Sequence, residues 1–253
     1  MSCVTRLEAD GVCTLTLDRP DKLNALDTAA FRELDAHLSA LELDEGNVGC
    51  VVLRGAGRGF CAGADLNALA DATAKPPPTF KPSVVERLAL LKQPVIAAVH
   101  GVCFTGGLEL ALACDFIIAD ATARFADTHG KWGLVGAWGM SQRLPLRIGL
   151  SAAKRMMMTS RVVEAPEAKE LGLVDLLAPA GQLDEVLKSF VAELLANSRF
   201  TNFAVKRLLI ETDCMSLAEG LAHEHYRYPG CAPDHQQRIA AFRRGASGSP
   251  EKA

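Results

Sequence analysis

One carboxylate lies within a segment that otherwise has the composition of a buried helix. Glu109 falls inside residues 108–114, in which every other residue is apolar. Burial of an ionised carboxylate costs free energy unless the group is paired or held for chemistry. Two roles are therefore open to Glu109, a general base in catalysis or a structural carboxylate that is partly exposed or ion-paired.

Two glycine-containing segments each join a predicted strand to a predicted helix. The first is residues 60–66, Phe-Cys-Ala-Gly-Ala-Asp-Leu, and the second is residues 105–109, Thr-Gly-Gly-Leu-Glu. The first N–H groups of a helix have no acceptor within the helix, so they can bind an anion. One donor from each segment, converging on a carbonyl oxygen, would form an oxyanion hole. Each segment is also explained by a turn that simply requires glycine.

The hydrophobic pattern around these segments predicts strands that alternate with helices. Strands are predicted at residues 12–17, 48–53 and 95–99, and helices after the N-cap residue Asp27 and at residues 65–71 and 108–114. Such alternation is typical of an α/β or related layered (α+β) fold. The proline-rich residues 75–82 predict an exposed loop.

The C-terminal part of the sequence has a wholly helical pattern. Helices are predicted at residues 183–195, 201–213, 216–227 and 234–244. We therefore predict two parts, a core of residues 1–195 and a helical C-terminal region of residues 196–253.

Composition and charge exclude several classes of protein. The 253 residues include 27 Lys and Arg against 30 Asp and Glu, a net charge of −3 that excludes a basic nucleic-acid-binding surface. The apolar residues 94–119 are interrupted by His100, Glu109 and Asp115, too often for a membrane span. The eight cysteines contain no CxxC pair, as is typical of reduced thiols. We expect a cytoplasmic protein that binds neither nucleic acid nor membrane.

Several motifs together resemble one known family. They are DRPDKLNAL (18–26), GFCAGADL (59–66), AAVHG (97–101), GGLELA (106–111) and GLVD (172–175). From about residue 4 to residue 242, the chain resembles the crotonase superfamily, the enoyl-CoA hydratase/isomerase family. The resemblance implies a spiral of ββα units with a helical C-terminal trimerisation region, and a homotrimer or a hexamer made of two trimers.

The same resemblance implies a ligand and the residues that bind it. The substrate would be an acyl-CoA thioester, with no metal and no separate cofactor, because coenzyme A is part of the substrate. The backbone N–H groups of Ala64 and Gly106 would bind the thioester oxygen and stabilise an enolate. The remainder of the substrate, including coenzyme A, would lie along Lys22, Ala25, Ala62, Asp65 and Leu66.

The sequence departs from the family pattern at one catalytic position. Family hydratases use two glutamates, and Glu109 matches the first, whereas the position of the second is occupied by His129. His129 would replace the acid and be oriented by Asp127, two residues earlier, if the segment is extended. Alternatively, Glu109 acts alone in double-bond isomerisation, or His129 only lines the pocket of a non-catalytic acyl-CoA-binding protein. We predict a hydratase-like enzyme with Glu109 as base and His129 as acid.

Overall fold

The computed structural model describes residues 2–70 and 76–246. Strands alternate with helices through the first two thirds of the chain, which confirms the predicted mixed α/β class. The strands within the described residues are β1 (Val4–Ala9), β2 (Val12–Leu17), β3 (Cys50–Gly55), β4 (Val95–Val99), β5 (Val102–Phe104), β6 (Phe116–Asp120), β7 (Arg124–Ala126), β8 (Val163–Glu164) and β9 (Leu176–Ala178).

The helices of the described residues follow these strands and then continue alone. They are α1 (Thr28–Glu42), α2 (Leu66–Ala70), α3 (Phe80–Leu90), α4 (Gly106–Leu112), α5 (Met140–Ile148), α6 (Leu150–Thr159), α7 (Ala165–Glu170), α8 (Leu183–Ala196), α9 (Arg199–Glu211), α10 (Leu217–Arg227) and α11 (His235–Ala246). None of these described helices combines the length and the apolar character needed to cross a membrane.

Two sheets form the framework of the core. The larger sheet has the strand order β1-β2-β3-β4-β6-β9 and the smaller has the order β5-β7-β8. Only β1 pairs antiparallel with its neighbour in the larger sheet. All five residues of β4 are buried, as expected for a central parallel strand that is covered on both faces.

Helix α1 follows its sequence pattern closely. The carboxylate of Asp27 accepts a hydrogen bond from the N–H of Ala30 at 2.9 Å, which confirms the predicted N-cap. Phe31, Leu34 and Leu38 recur at helical spacing and are all buried.

Several local predictions were wrong, most of them in their bounds. Strand β3 begins at Cys50 instead of at residue 48, and α4 begins at Gly106 instead of at residue 108. Residues 102–104, predicted as loop, form β5 through pairing with the distant strand β7. Such pairing is made between segments far apart in the chain, so a local pattern does not show it.

The predicted proline-rich loop is shorter than expected. Phe80, Lys81 and Pro82 form the first turn of α3. Proline is tolerated there because the first N–H groups of a helix have no intrahelical acceptor. Lys75, at the other end of the predicted loop, lies outside the described residues.

The chain divides into two compact units, residues 1–195 and residues 196–253. The first unit contains both sheets, and within its described part the larger hydrophobic core lies around β2, β3, β4 and α1. The second unit contains α9, α10 and α11.

One buried asparagine joins two turns of the first unit. The side-chain amide of Asn24 donates to the carbonyl oxygens of Ala56, Gly59 and Phe60 at 2.8, 2.8 and 3.2 Å. Its Oδ1 accepts from the N–H of Arg19 at 2.9 Å. Asn24 therefore fixes the turn after β3 against the segment that follows β2.

We predict that Asn24→Asp destabilises the first unit. The substitution replaces the donor with an oxygen that faces three carbonyl oxygens, and we expect the free energy of unfolding to fall by about 2 kcal/mol. Urea denaturation measures the change. Asn67→Asp, on the exposed start of α2, is the matched control and should shift stability by less than about 0.5 kcal/mol. Equal effects of the two substitutions would contradict the proposed role of Asn24.

Candidate active site

A single cavity of about 660 Å³ in the first unit brings the predicted site residues together. Every catalytic or binding residue proposed from the sequence lies in its wall. These residues are Lys22, Ala25, Ala62, Ala64, Asp65, Leu66, Gly106, Glu109 and His129.

Backbone pairing holds the two glycine-containing segments side by side. Cys61 and Cys103 form a parallel bridge between the segments. The N–H of Cys61 donates to the carbonyl of Val102, and the N–H of Phe104 donates to the carbonyl of Cys61, both at 2.9 Å. This pairing brings the starts of α2 and α4 to the same cavity.

The approach of the two segments is close enough to require glycine at position 63. Gly63 has a φ of +104°, and a Cβ atom at this position would lie 1.9 Å from Oγ1 of Thr105. Thr105 itself has a φ of +47°, which is unfavourable for a β-branched residue. Its hydroxyl donates to the carbonyl of Ala62 at 3.3 Å, so contacts between the segments help to hold the strained residue.

Ala64 and Gly106 both line the cavity. Leu26 forms a parallel bridge with Ala64 that uses the carbonyl of Gly63 and the N–H of Asp65. The N–H of Ala64 is therefore outside the hydrogen bonds of that bridge. Gly106 is the first residue of α4, where a backbone N–H has no acceptor within the helix.

Glu109 is almost fully buried, with 1% of its surface exposed. Its Oε1 accepts hydrogen bonds from the N–H groups of Trp138 at 2.8 Å and Met140 at 3.2 Å. Its Oε2 lies 3.9 Å from Nε2 of His129. One carboxylate oxygen is thus fixed by the backbone, and the other faces the imidazole.

The surroundings of Glu109 make it a stronger base than an exposed glutamate. Burial raises the pKa of Glu109, and the two backbone hydrogen bonds and the charge of His129 offset only part of this effect. A carboxylate with a raised pKa accepts a proton more readily near neutral pH.

A second carboxylate orients His129. Nδ1 of His129 lies 2.6 Å from Oδ1 of the buried Asp127, and the backbone N–H of His129 donates to the same oxygen at 3.0 Å. The contact forms at the start of a 3-10 helix over residues 129–132, and not in an extended segment as the sequence suggested. The orientation leaves Nε2 of His129 facing Glu109.

Asp127 also changes the protonation of His129. Burial by itself lowers the pKa of His129, but the hydrogen bond and charge of Asp127, together with the charge of Glu109, raise it above its ordinary value. His129 therefore keeps its proton to a higher pH than an exposed histidine.

An ion-pair cluster supports the cavity wall at Asp65. Oδ2 of Asp65 lies 3.0 Å from the Arg19 guanidinium and 3.6 Å from the Lys22 ammonium. Burial raises the pKa of Asp65, but the hydrogen bond from Arg19, backbone hydrogen bonds and the charge of Lys22 outweigh it and lower the pKa. The Asp65 carboxylate thus holds protein groups in place, whereas Lys22, half exposed, reaches the edge of the cavity.

Sequence reasoning missed two kinds of contributor to this site. The sequence pattern assigns Arg19 no role of its own, although Arg19 belongs to the motif over residues 18–26. The N–H groups of Trp138 and Met140, which fix Glu109, are backbone donors that no side-chain pattern identifies.

Comparison with known proteins agrees with this geometry. The family model for enoyl-CoA hydratase/isomerase matches residues 8–232. A probable enoyl-CoA hydratase from Rhizobium meliloti is 37% identical, with 90% of each chain covered. The 1,2-epoxyphenylacetyl-CoA isomerase of Escherichia coli is 32% identical, with 92% of each chain covered.

A solved structure shows the same fold. Enoyl-CoA hydratase from Bacillus anthracis superposes with a TM-score of 0.89 at 32% identity, with 96% of each chain covered. The matching family model, the relatives that cover nearly the whole chain and this shared fold show that the chain belongs to the enoyl-CoA hydratase/isomerase family, the crotonase superfamily.

Proposed function

We propose that the protein adds water to the double bond of a 2-enoyl-CoA thioester. The observation that carries the proposal is the pair formed by the buried Glu109 and the partly buried His129, whose Oε2 and Nε2 atoms lie 3.9 Å apart in the wall of the cavity. A base and an acid at this separation suit the two proton transfers of hydration.

The thioester oxygen would bind between the N–H groups of Ala64 and Gly106. Both residues line the cavity that contains Glu109, and neither N–H is used by the backbone pairing around it. Negative charge develops on the thioester oxygen when the enoyl group is attacked, and two fixed donors stabilise that charge.

The proton transfers then follow from the protonation of the pair. Glu109 accepts a proton from water while the water oxygen bonds to C3, and the electron pair of the double bond moves into the enolate. The protonated His129 donates its proton to C2, which regenerates the thioester carbonyl. Return of the proton from Glu109 to His129 restores the starting state. Activity thus requires Glu109 deprotonated and His129 protonated.

The coenzyme A portion would lie along the wall formed by Lys22, Ala25, Ala62 and Leu66. The ammonium of Lys22 is half exposed and attracts phosphate groups. Asp65 contributes by holding Lys22 and Arg19 in place.

Isomerisation is the second candidate function. Two backbone N–H groups hold Glu109 in position without a contribution from His129. In isomerisation Glu109 would act as the only base and move a proton between the carbons next to the thioester. A relative named as an isomerase, from Escherichia coli, is 32% identical. A 3-enoyl-CoA substrate separates this function from hydration.

The apolar surface of the second unit supports the proposal that the protein forms an oligomer. The helices of this unit expose large apolar side chains, which are typical of subunit interfaces. Examples are Val205, Leu209, Leu217, Leu221 and Phe242. We propose a homotrimer, or a hexamer made of two trimers.

The thiols support a cytoplasmic location. All eight cysteines lie in the described part of the chain as thiols that take part in no disulfide, as is common in a reducing compartment.

Glu109→Gln tests the proposed base. Glutamine retains an oxygen for the Trp138 and Met140 donors but cannot accept the proton, so we expect kcat on crotonyl-CoA to fall by about 10²-fold or more. The dissociation constant for butyryl-CoA should change less than about threefold. Loss of the conjugated enoyl-thioester absorbance measures turnover, and calorimetry measures binding.

Glu185→Gln, on the exposed surface of α8, is the matched control and should behave as wild type. Full turnover in Glu109→Gln would exclude Glu109 as the base. Conversion of a 3-enoyl-CoA by a wild type that does not consume crotonyl-CoA would favour isomerisation. Binding of CoA esters with no turnover of either substrate would favour a non-catalytic role.

The pH dependence of kcat/KM tests His129. An ordinary histidine has a pKa of 6.5, and the pKa of His129 is raised above it. Activity should therefore persist as the pH passes 6.5, and fall only when the pH rises through the raised pKa and His129 loses its proton. His129→Gln should lower kcat/KM by about 10²-fold and abolish this alkaline limb.

Asp127→Asn provides a finer test of the same limb. It removes the charge that raises the pKa of His129, so the alkaline limb should move to lower pH. An unchanged profile in both variants would remove His129 from the mechanism.

Light scattering tests the assembly. We expect a mass of three or six times the 27.0 kDa chain at micromolar concentration. Leu221→Glu, at a position 59% exposed on α10, should dissociate the assembly, because it places a charge in the apolar interface. A monomeric wild type would contradict the proposal.

A further inference from the structure

The indole of Trp138 lies directly against the start of α4. A Cβ atom at Gly106 would lie 2.3 Å from Cζ3 of Trp138, so the ring occupies the space beside that glycine. The Trp138 ring also meets Phe31 of α1 edge to face, with the centroids 4.8 Å apart and the planes at 73°. Trp138 thus fills the space between Gly106 and α1.

Both the backbone and the ring of Trp138 are held in place. Its N–H donates to Glu109 at 2.8 Å, and its carbonyl accepts from Arg143 at 2.9 Å. Phe31, against which the ring packs, is buried, and the Lys81 ammonium lies 5.6 Å from its ring centroid. Displacement of the indole would disturb this packing.

The position of the ring limits the room for an acyl chain. A thioester oxygen bound by Ala64 and Gly106 places the reacting carbons near Glu109, and a tail that continues past Gly106 toward α1 meets the indole. Forcing extra methylene groups into a filled space is unfavourable.

We propose that Trp138 determines specificity by closing the acyl end of the cavity, so that the protein selects short-chain acyl-CoA thioesters. This inference rests on the proposed function, because it takes the thioester to bind at Ala64 and Gly106. Another part of the cavity wall, at Trp132 and Val135, is open to solvent, with 58% and 90% of these residues exposed. A tail directed there would be largely in water.

Binding of saturated thioesters tests the proposal without chemistry. Calorimetry with butyryl-CoA and octanoyl-CoA gives the ratio of their dissociation constants for wild type and Trp138→Ala. A buried methylene improves affinity by about fourfold, so a long tail gains affinity only where a space accepts it. We expect wild type to bind octanoyl-CoA no more tightly than butyryl-CoA. Trp138→Ala should favour octanoyl-CoA by at least about tenfold, with butyryl-CoA affinity within about threefold of wild type.

Further variants separate the alternatives. Trp138→Phe, which keeps an aromatic ring in the space, should retain much of the wild-type preference, and Trp132→Ala should leave the ratio unchanged. If Trp138→Ala does not fold, as judged by circular dichroism, Trp138→Leu takes its place and should shift the ratio in the same direction.

The outcomes distinguish this proposal from the proposed function. The specificity proposal alone would be overturned if wild type bound octanoyl-CoA more tightly than butyryl-CoA. It would also be overturned if substitutions of Trp138 left the ratio of the two dissociation constants unchanged. A ratio that responds equally to Trp132→Ala would show that the tail runs toward solvent, and would also overturn it. Failure of wild type to bind either thioester would instead contradict the acyl-CoA function.

Discussion

The close contact between the two glycine-containing segments is the constraint on which the site depends. The parallel bridge of Cys61 with Cys103 sets the distance between the segments, and the absence of a side chain at Gly63 lets Thr105 approach. The unfavourable backbone of Thr105 costs of the order of 1–3 kcal/mol. Hydrogen bonds of Thr105 to the carbonyls of Ala62 and Ala126 help the surrounding structure to hold it. The strain is thus located beside the helix start that presents Gly106 to the cavity.

The start of α4 also determines the electrostatic surroundings of Glu109. Because α4 is buried, Glu109 enters the cavity with little solvent around it, and its charge must be balanced locally. Two backbone N–H groups stabilise one oxygen, and His129 faces the other. Burial alone would drive His129 toward its neutral form, in which it could not serve as an acid. Asp127, together with the charge of Glu109, reverses that tendency, so the two carboxylates make a histidine in this position suited to proton donation.

The sequence predicted those parts of the fold and site that are encoded locally or by whole motifs. Strands β2 and β4 and the capped start of α1 have the predicted positions, because alternating or helical apolar spacing reports directly on the buried face. The predicted site residues all line one cavity because a motif specifies several positions at once. Strand β5 and the ion pair of Arg19 with Asp65 depend on segments distant in the chain, and local spacing contains no information about such partners.

In Trp138, the contact with Glu109 and the proposed contact with the acyl group come from different parts of the residue. Its backbone N–H fixes Glu109, and any residue other than proline supplies that donor. Its side chain fills the space between Gly106 and Phe31, and that space depends strongly on residue size. A substitution at position 138 can therefore alter the volume of the acyl end while the base keeps its hydrogen bond. Substitutions at Gly106 have no such freedom, because any Cβ atom would collide with the indole beside the proposed oxyanion donor. The proposed acyl end is thus the part of the cavity whose volume a substitution can change while the backbone hydrogen bond to Glu109 is retained.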